Sequence, residues 1–355
     1  MRHQYTHFIK QNIAPEGARE IGIYANGGRA IAVALGALQS VDRQRSYSFG
    51  LVSDIHLRDS DADWNPITKF ENALSFFGSK NCSMCVITGD LTQTGFYQRS
   101  VETDASTTYP DDGQFAKYRE ICAKQPLPIY ELSGNHESYY GMSVEASLDK
   151  WTAYTGKEAL YYHFEQVDDL FIMLGQPNGS VPMSDDALQW IYRTLEANRN
   201  KRCFIFVHPD ISSGNPSGAY SSNRSFDSWG TKTDAFKNLL RHYKNTILFH
   251  GHTHTKLEAQ TEDPKANYSE RDGFRSIHVP SLCRPRSVEN GVIGPYIDGE
   301  SQCYIVDVYE SAVVLNGLDL IDKKPVPLGT YRIDTTLQTI EANTFTDSAG
   351  IIRAT

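Results

Sequence analysis

The stretch Ile247-Leu-Phe-His-Gly-His-Thr-His254 sets two imidazoles two positions apart directly after an apolar run. If the run is a strand, alternation sends His252 and His254 to the same side of its C-terminal tip. Neutral imidazoles meeting at one point suit a transition metal better than a packed core. A His-x-His pair also occurs by accident on surfaces. The question is whether the chain supplies carboxylates and further imidazoles at comparable places.

It does so four more times. Leu51-Val-Ser-Asp54-Ile-His56, Val86-Ile-Thr-Gly89-Asp90, Ile129-Tyr-Glu-Leu-Ser-Gly134-Asn135-His136-Glu137 and Phe204-Ile-Phe-Val-His208-Pro209 all end apolar runs in metal-capable residues. The inventory is Asp54, His56, Asp90, Asn135, His136, His208, His252 and His254. Seven ligand candidates with one spare histidine fit two ions better than one, since a single zinc site needs three or four. Oxygen and imidazole donors without thiolate favour Mn, Fe, Zn or Co. Paired ions of this kind lie ~3.5–4 Å apart and clamp the attacking and leaving oxygens of a phosphoryl displacement.

Strands alternating with helices must position these residues. Strands are expected at Tyr47–Ser53, Met84–Thr88, Pro128–Leu132, Tyr161–Val167, Leu170–Leu174, Cys203–Val207 and Thr246–His250. Helices are expected at Pro66–Phe77, Asp112–Ala123, Ser143–Tyr154, Ser184–Asn198 and Thr233–Tyr243. Ser184 is a good N-cap ahead of Asp185 and Asp186. Beyond the His-x-His turn the chain reads as strands at Phe274–Val279, Cys303–Val308, Ala312–Leu315, Thr330–Ile333 and Leu337–Ala342. The first 46 residues carry a hairpin signature around Ala25-Asn-Gly-Gly28 and show no chemistry. Two strands cannot hold themselves together, so this arm is expected to pack on the main domain or on another subunit. In open α/β sheets ligands collect outside the carboxyl ends of strands, where all five motifs would lie. Glycine before Asp90, Asn135 and His252 permits the sharp turns required. The long connections 92–111 and 209–230 each follow a candidate site residue and read as walls or lids.

In order and spacing, Asp54-x-His56, Gly89-Asp90, Gly134-Asn135-His136-Glu137, His208 and Gly251-His252-x-His254 resemble the signature of the calcineurin-like metallophosphoesterases. The match spans 47–255 and lacks no motif. The resemblance implies an α/β fold, a four-layer α/β/β/α sandwich of two mixed β-sheets. To this the sequence adds a β-hairpin N-terminal arm (1–46) and a β-rich C-terminal extension (286–355) around a catalytic domain (47–285). By position, Asp54, His56 and His254 resemble the ligands of one metal, Asn135, His208 and His252 those of the other, and Asp90 bridges both. His136 matches the family's non-ligand histidine near the leaving group. The implied cofactors are two transition-metal ions, Mn, Fe or Zn. The implied reaction is in-line attack of a metal-bridging hydroxide on the phosphorus of a small phosphoester. A phosphodiesterase is the first reading, because these motifs resemble the branch that includes cyclic-nucleotide and glycerophosphodiester hydrolases. A phosphomonoesterase with the same site is the second. A third reading, from another class, is a surface- or phage-particle-associated protein, or a homo-oligomer assembled through the arm, that carries the hydrolase as an appendage.

Composition narrows the partners. Against 43 acidic residues stand 34 basic ones, a formal charge of −9, and no Lys/Arg block suggests a nucleic-acid groove. The apolar run Ala30–Leu38 is too short for a transmembrane span and no leader pattern opens the chain, so a soluble, cytoplasmic protein is the default expectation. Six scattered cysteines read as buried thiols, including Cys82-Ser-Met-Cys85, which has no second pair. Asp59-Ser-Asp61-Ala-Asp63 imitates a calcium loop but has Trp64 where glycine is needed and Phe70 where glutamate is needed. It reads as a solvated acidic loop. Arg284 and Arg286 are candidates for a phosphate contact, and Trp64, Tyr97, Tyr220 and Trp229 for pocket walls. Glu137 could orient His136, cap a turn or be solvated. His250 and His278 read as sheet histidines.

Overall fold

The computed structural model describes residues 20–26, 29–35, 45–61, 64–93, 113–137, 143–176, 183–211, 231–258, 267–270, 272–289, 292–348 and 350–353. Most of the two long connections, with Tyr97, Tyr220 and Trp229, lies outside them. An antiparallel hairpin, β1 (Glu20–Asn26) and β2 (Arg29–Leu35), occupies the expected place in the arm.

The first half of the sandwich alternates strand and helix: β3 (Tyr47–Val52), α1 (Pro66–Ser79), β4 (Cys85–Ile87), α2 (Gly113–Ala123), β5 (Ile129–Glu131) and α3 (Val144–Thr155). The second continues with β6 (Tyr161–Gln166), β7 (Asp169–Leu174), α4 (Asp185–Ala197), β8 (Cys203–Val207), α5 (Thr231–His242), β9 (Thr246–His250), β10 (Tyr268–Ser269) and β11 (Arg275–His278). A small hairpin, β12 (Arg286–Glu289) and β13 (Val292–Tyr296), precedes β14 (Gln302–Val308), β15 (Ala312–Asp319), β16 (Lys324–Pro325) and β17 (Tyr331–Asp334).

Two sheets result. One has the order β16-β15-β14-β3-β4-β5, with β17 also on β15; the other runs β10-β11-β9-β8-β7-β6. Strands β3, β4 and β5 are parallel, as are β7, β8, β9 and β11. Strands from beyond residue 285 pair with β3 itself, so the C-terminal chain completes the first sheet.

Period-two alternation assigns each strand's faces. Phe49 and Leu51 meet Phe171, Phe204, Phe206 and Phe249 between the sheets. Gly50 turns the other way, where a Cβ would sit 2.3 Å from the Phe77 ring of α1. On that outer face Val52, Cys85 and Ile87 pack with Phe70, Phe77, Phe115, Tyr118 and Trp151. Across the second sheet Ile172, Ile205 and Leu248 pack with Leu188, Ile191, Phe236 and Leu239. The layers are therefore helix, sheet, sheet, helix.

Two expectations differ from the structure. Residues 337–342 form no strand. Their backbone is satisfied by side chains instead: Asn245 Nδ2 donates to the Gln338 carbonyl, and Arg199 Nε to that of Ile340. The segment lies along α4 and α5, with Ile340 and Phe345 in the helix-side core. Asp61 is not merely solvated, because its carboxylate accepts the N–H groups of Ile67 and Thr68 at 2.8 and 3.2 Å. It caps α1 from outside, where Asn65 at the N-cap makes no side-chain bond. The antiparallel hairpin β12–β13 adds strands to the C-terminal extension that the sequence reading does not single out.

Phe171 contacts Phe49, Phe164, Phe204 and Phe206 with ring centroids 4.9–5.8 Å apart. Phe171→Ala is expected to cost about 3–5 kcal/mol of stability, the range for a buried aromatic truncation. Chemical denaturation checks this. A cost below about 1 kcal/mol would mean that the sheets do not depend on this ring.

Candidate metal centre

All five motifs fall just past the C-terminal ends of parallel strands, three on the first sheet and two on the second. The chain leaves β3 at Asp54 and His56, β4 at Asp90, β5 at Asn135 and His136, β8 at His208, and β9 at His252 and His254. Backbone bonds lock these exits together: Asp54 N–H donates to the Gly89 carbonyl, His56 N–H to that of Asp90, and Gly251 N–H to that of His208.

The exits are strained. Asp54, His56, Asp90, His252 and His254 have φ of 51°, 49°, 51°, 70° and 58°, half of the ten positive-φ non-glycine residues described. Such conformations cost an L-residue of order 1–3 kcal/mol, and surrounding contacts must impose them. The glycines serve close approach. At Gly134 a Cβ would lie 2.2 Å from Asp90 Oδ1, and at Gly251 it would lie 1.8 Å from Ser53 Oγ. Gly89 adds a positive φ of 96° to a Cβ position 2.6 Å from the His208 ring.

Each carboxylate has one oxygen tied and one presented. Asp54 Oδ2 accepts the His252 N–H at 2.9 Å, and Asp90 Oδ1 accepts the His136 N–H at 2.8 Å. Asp54 Oδ1, fully buried, has no hydrogen-bond partner and lies 3.2 Å from His254 Nε2. Asp90 Oδ2 lies 3.2 Å from His208 Nε2 and 3.6 Å from His56 Nε2. The imidazoles are tied from behind in the same way. Nδ1–H of His208 donates to the Thr88 carbonyl, that of His254 to Arg284, and that of His136 to Gln93, at 2.8, 3.0 and 2.6 Å. Each bond fixes the tautomer that leaves the Nε2 lone pair facing inward, as metal-ligating histidines require.

The presented atoms form two groups that share one residue. Asp54, His56, Asp90 and His254 offer ligand atoms within 4.8 Å of one another, and so do Asp90, His208 and His252. Asn135 Oδ1 joins the second group, 3.0 Å from His208 Nε2. His136 stands at the edge, its Nε2 3.9 Å from Asp90 Oδ2. Ring nitrogens face each other at 3.0 Å in the pairs His56–His254 and His208–His252. Two lone pairs so placed repel unless a proton or a cation stands between them. The unpaired Asp54 oxygen, the facing nitrogens and the hard oxygen and imidazole donors all fit a two-ion site.

Without cations the cluster balances charge with a proton. Burial opposes the charged form of His208, but Asp90 and Asp54 outweigh it and raise its pKa to about 9. Burial would raise both carboxylates, but the imidazoles outweigh it. His254 and His208 hold Asp54, and His208 and His136 hold Asp90, below the carboxylate range. Burial, then the positive charge of His208, lowers His252 to about 3.

The sequence alone leaves Glu137 open between orienting His136, capping a turn and facing solvent. It is fully buried and accepts the N–H groups of Asp90, Thr92 and Gly134 at 3.1, 3.1 and 2.6 Å. Burial and the charge of Asp90 push its pKa up to about 8, against those donors. It joins the β4 and β5 exits instead of facing solvent. No sequence motif marks Ser281, whose hydroxyl donates to the Asp54 carbonyl at 2.9 Å. His250 and His278 are buried sheet residues, His250 with Nε2 3.5 Å from Asp210 and His278 donating to the Thr255 carbonyl. Arg284 and Arg286 stack on aromatic rings at the rim.

The sequence pattern of the calcineurin-like phosphoesterases matches residues 47–256, more than half of the chain and all five exits. The chain belongs to this family. Its fold is similar to that of a dimetal phosphatase from Danio rerio, with TM-score 0.55 and 14% identity over 82% of this chain and 100% of that one. It is likewise similar to a purple acid phosphatase from yellow lupin (Lupinus luteus) seeds, with TM-score 0.56 and 14% identity over 82% of this chain and 54% of that one. No curated protein matches the sequence. Among the described residues no helix is long and apolar enough to cross a membrane.

A metal ion held by the group Asp90, His208 and His252 would displace the His208 proton, because only the neutral imidazole is a ligand. The metal-free chain holds that proton below pH about 9. Metal affinity is therefore expected to rise with pH toward that value, with proton release on loading at pH 7.5. Titration calorimetry in buffers of different ionisation enthalpy measures the release, and a buffer-independent heat would contradict it.

Proposed function

We propose that this family member is a binuclear phosphoric diester hydrolase. The observation that carries the reading is the shared carboxylate: Asp90 belongs to both groups of converging ligand atoms. Asp54, His56 and His254 would hold one ion, Asn135, His208 and His252 the other, and Asp90 both. Bound there, two cations would supply a water acidic enough to attack phosphorus near neutral pH and would offset the charge that develops. Only two of the seven ligands are carboxylates, so the loaded site stays net positive toward an anionic phosphoester.

His136 has a separate task. Its Nδ1–H is engaged by the Gln93 carbonyl, and its side chain is 20% exposed beside nearly closed neighbours. Like His252 it is only partly buried, and its Nε2 is placed to hold a proton for the departing oxygen. Its main-chain N–H still orients Asp90 whatever side chain it carries. The two roles separate by mutation. Asp90→Ala is expected to lower kcat/KM by ~10³-fold or more together with metal content. His136→Ala is expected to lower it by ~10²–10⁴-fold with metal retained. Metal analysis beside kinetics reads both, and full activity in Asp90→Ala would sink the assignment.

The preference for diesters rests on the Gly134-Asn135-His136-Glu137, His208-Pro209 and Gly251-His252-x-His254 blocks, which resemble the diesterase branch. Bis(4-nitrophenyl) phosphate is expected to turn over with higher kcat/KM than 4-nitrophenyl phosphate. The reverse order would assign the same site to monoesters.

A further inference from the structure

Beside the metal centre, cations and aromatic rings alternate. Arg58 lies 5.2 Å from the Trp64 ring, Arg284 4.1 Å from Trp64 and 4.1 Å from Tyr296, and Arg286 4.7 Å from Tyr296. The Tyr296 ring meets that of His254 edge-on at 5.3 Å and is 42% exposed, so this ladder forms one wall of the site mouth. Stacking of this kind is worth about 0.5–2 kcal/mol per contact and restricts the guanidinium plane.

The wall is rigid. The Arg284 carbonyl accepts His254 Nδ1–H, and the Arg286 N–H donates to the His254 carbonyl at 2.7 Å. The buried Lys69 ammonium holds the loop from beneath, donating at 2.6 Å to the carbonyls of Cys283 and Asp298. Arg284 Nε is taken by Asp298 at 3.0 Å, while among the described residues neither of its Nη groups has a hydrogen-bond partner. With two rings against its face, the guanidinium offers its edge, which fits an oxyanion.

We infer that Arg284, held edge-out between Trp64 and Tyr296, selects phosphodiesters whose retained substituent carries a second anionic group, such as a carboxylate or phosphate. This rests on the diesterase reading above. Arg284 binds the part of the substrate that does not leave, so its effect falls on discrimination between substrates.

The test uses the metal-loaded full chain and two diesters with the same leaving group, bis(4-nitrophenyl) phosphate and 4-nitrophenyl 4-carboxyphenyl phosphate. The wild type is expected to favour the carboxylated diester. In Arg284→Gln the ratio of the two kcat/KM values is expected to fall ~10-fold or more, the loss of one charge-assisted hydrogen bond, chiefly through KM. Arg284→Lys is expected to restore part of it. A ratio unchanged in Arg284→Gln at wild-type metal content overturns the inference. Wild-type turnover of both diesters without preference overturns it independently of any variant. Turnover of neither overturns the diesterase reading, and this inference with it.

Discussion

Two carboxylates, Asp54 and Asp90, are buried side by side, and the rest of the structure is arranged around that fact. A charge removed from water is costly unless paired, and two like charges in one cavity are worse. The chain answers by splitting each carboxylate. One oxygen takes a backbone N–H, and the other is surrounded by imidazole nitrogens held at the required tautomer by carbonyls. The His252 N–H that reaches Asp54 comes from the opposite sheet, so the site also ties the two sheets at their carboxyl edges.

Such an arrangement is expensive in backbone conformation. Five left-handed residues, crowded glycine positions and a buried Glu137 that ties two strand exits all lie within it. Stability must come from elsewhere. The aromatic layer of Phe49, Phe171, Phe204, Phe206 and Phe249 between the sheets, and the two helix-side cores, supply apolar burial well away from the cluster. The candidate metal site is the strained rim of a well-packed sandwich, a division that keeps its donor atoms preorganised without loosening the fold.

The same division explains the C-terminal chain. Strands β14 and β15 extend the first sheet beside β3, which leads directly into Asp54. The loop before them supplies the Arg284 carbonyl behind His254 and the Ser281 hydroxyl behind Asp54. Residues outside the motif region thus hold the motif residues in place.

Much was legible in one dimension. Apolar runs ending in Asp-x-His, Gly-Asp, Gly-Asn-His-Glu, His-Pro and Gly-His-x-His announce strands that stop at a shared edge, because period-two burial and ligand chemistry are both local patterns. The helices with Ser143 and Ser184 as caps were legible for the same reason: their hydroxyls accept the N–H groups of Ala146 and Ala187. What depends on distant partners was not. Residues 337–342 look like a strand until Asn245 and Arg199 satisfy their backbone. Nothing local marks Asp61 as the cap of α1, Glu137 as the tie between two exits, or Tyr296 as a neighbour of His254. The sequence by itself determined which residue types could bind metal and in which strands they ride. Only the tertiary structure decided which oxygen each carboxylate presents and that Asp90 stands between two groups. Those follow from backbone contacts some 46 to 198 residues apart, which no local spacing encodes.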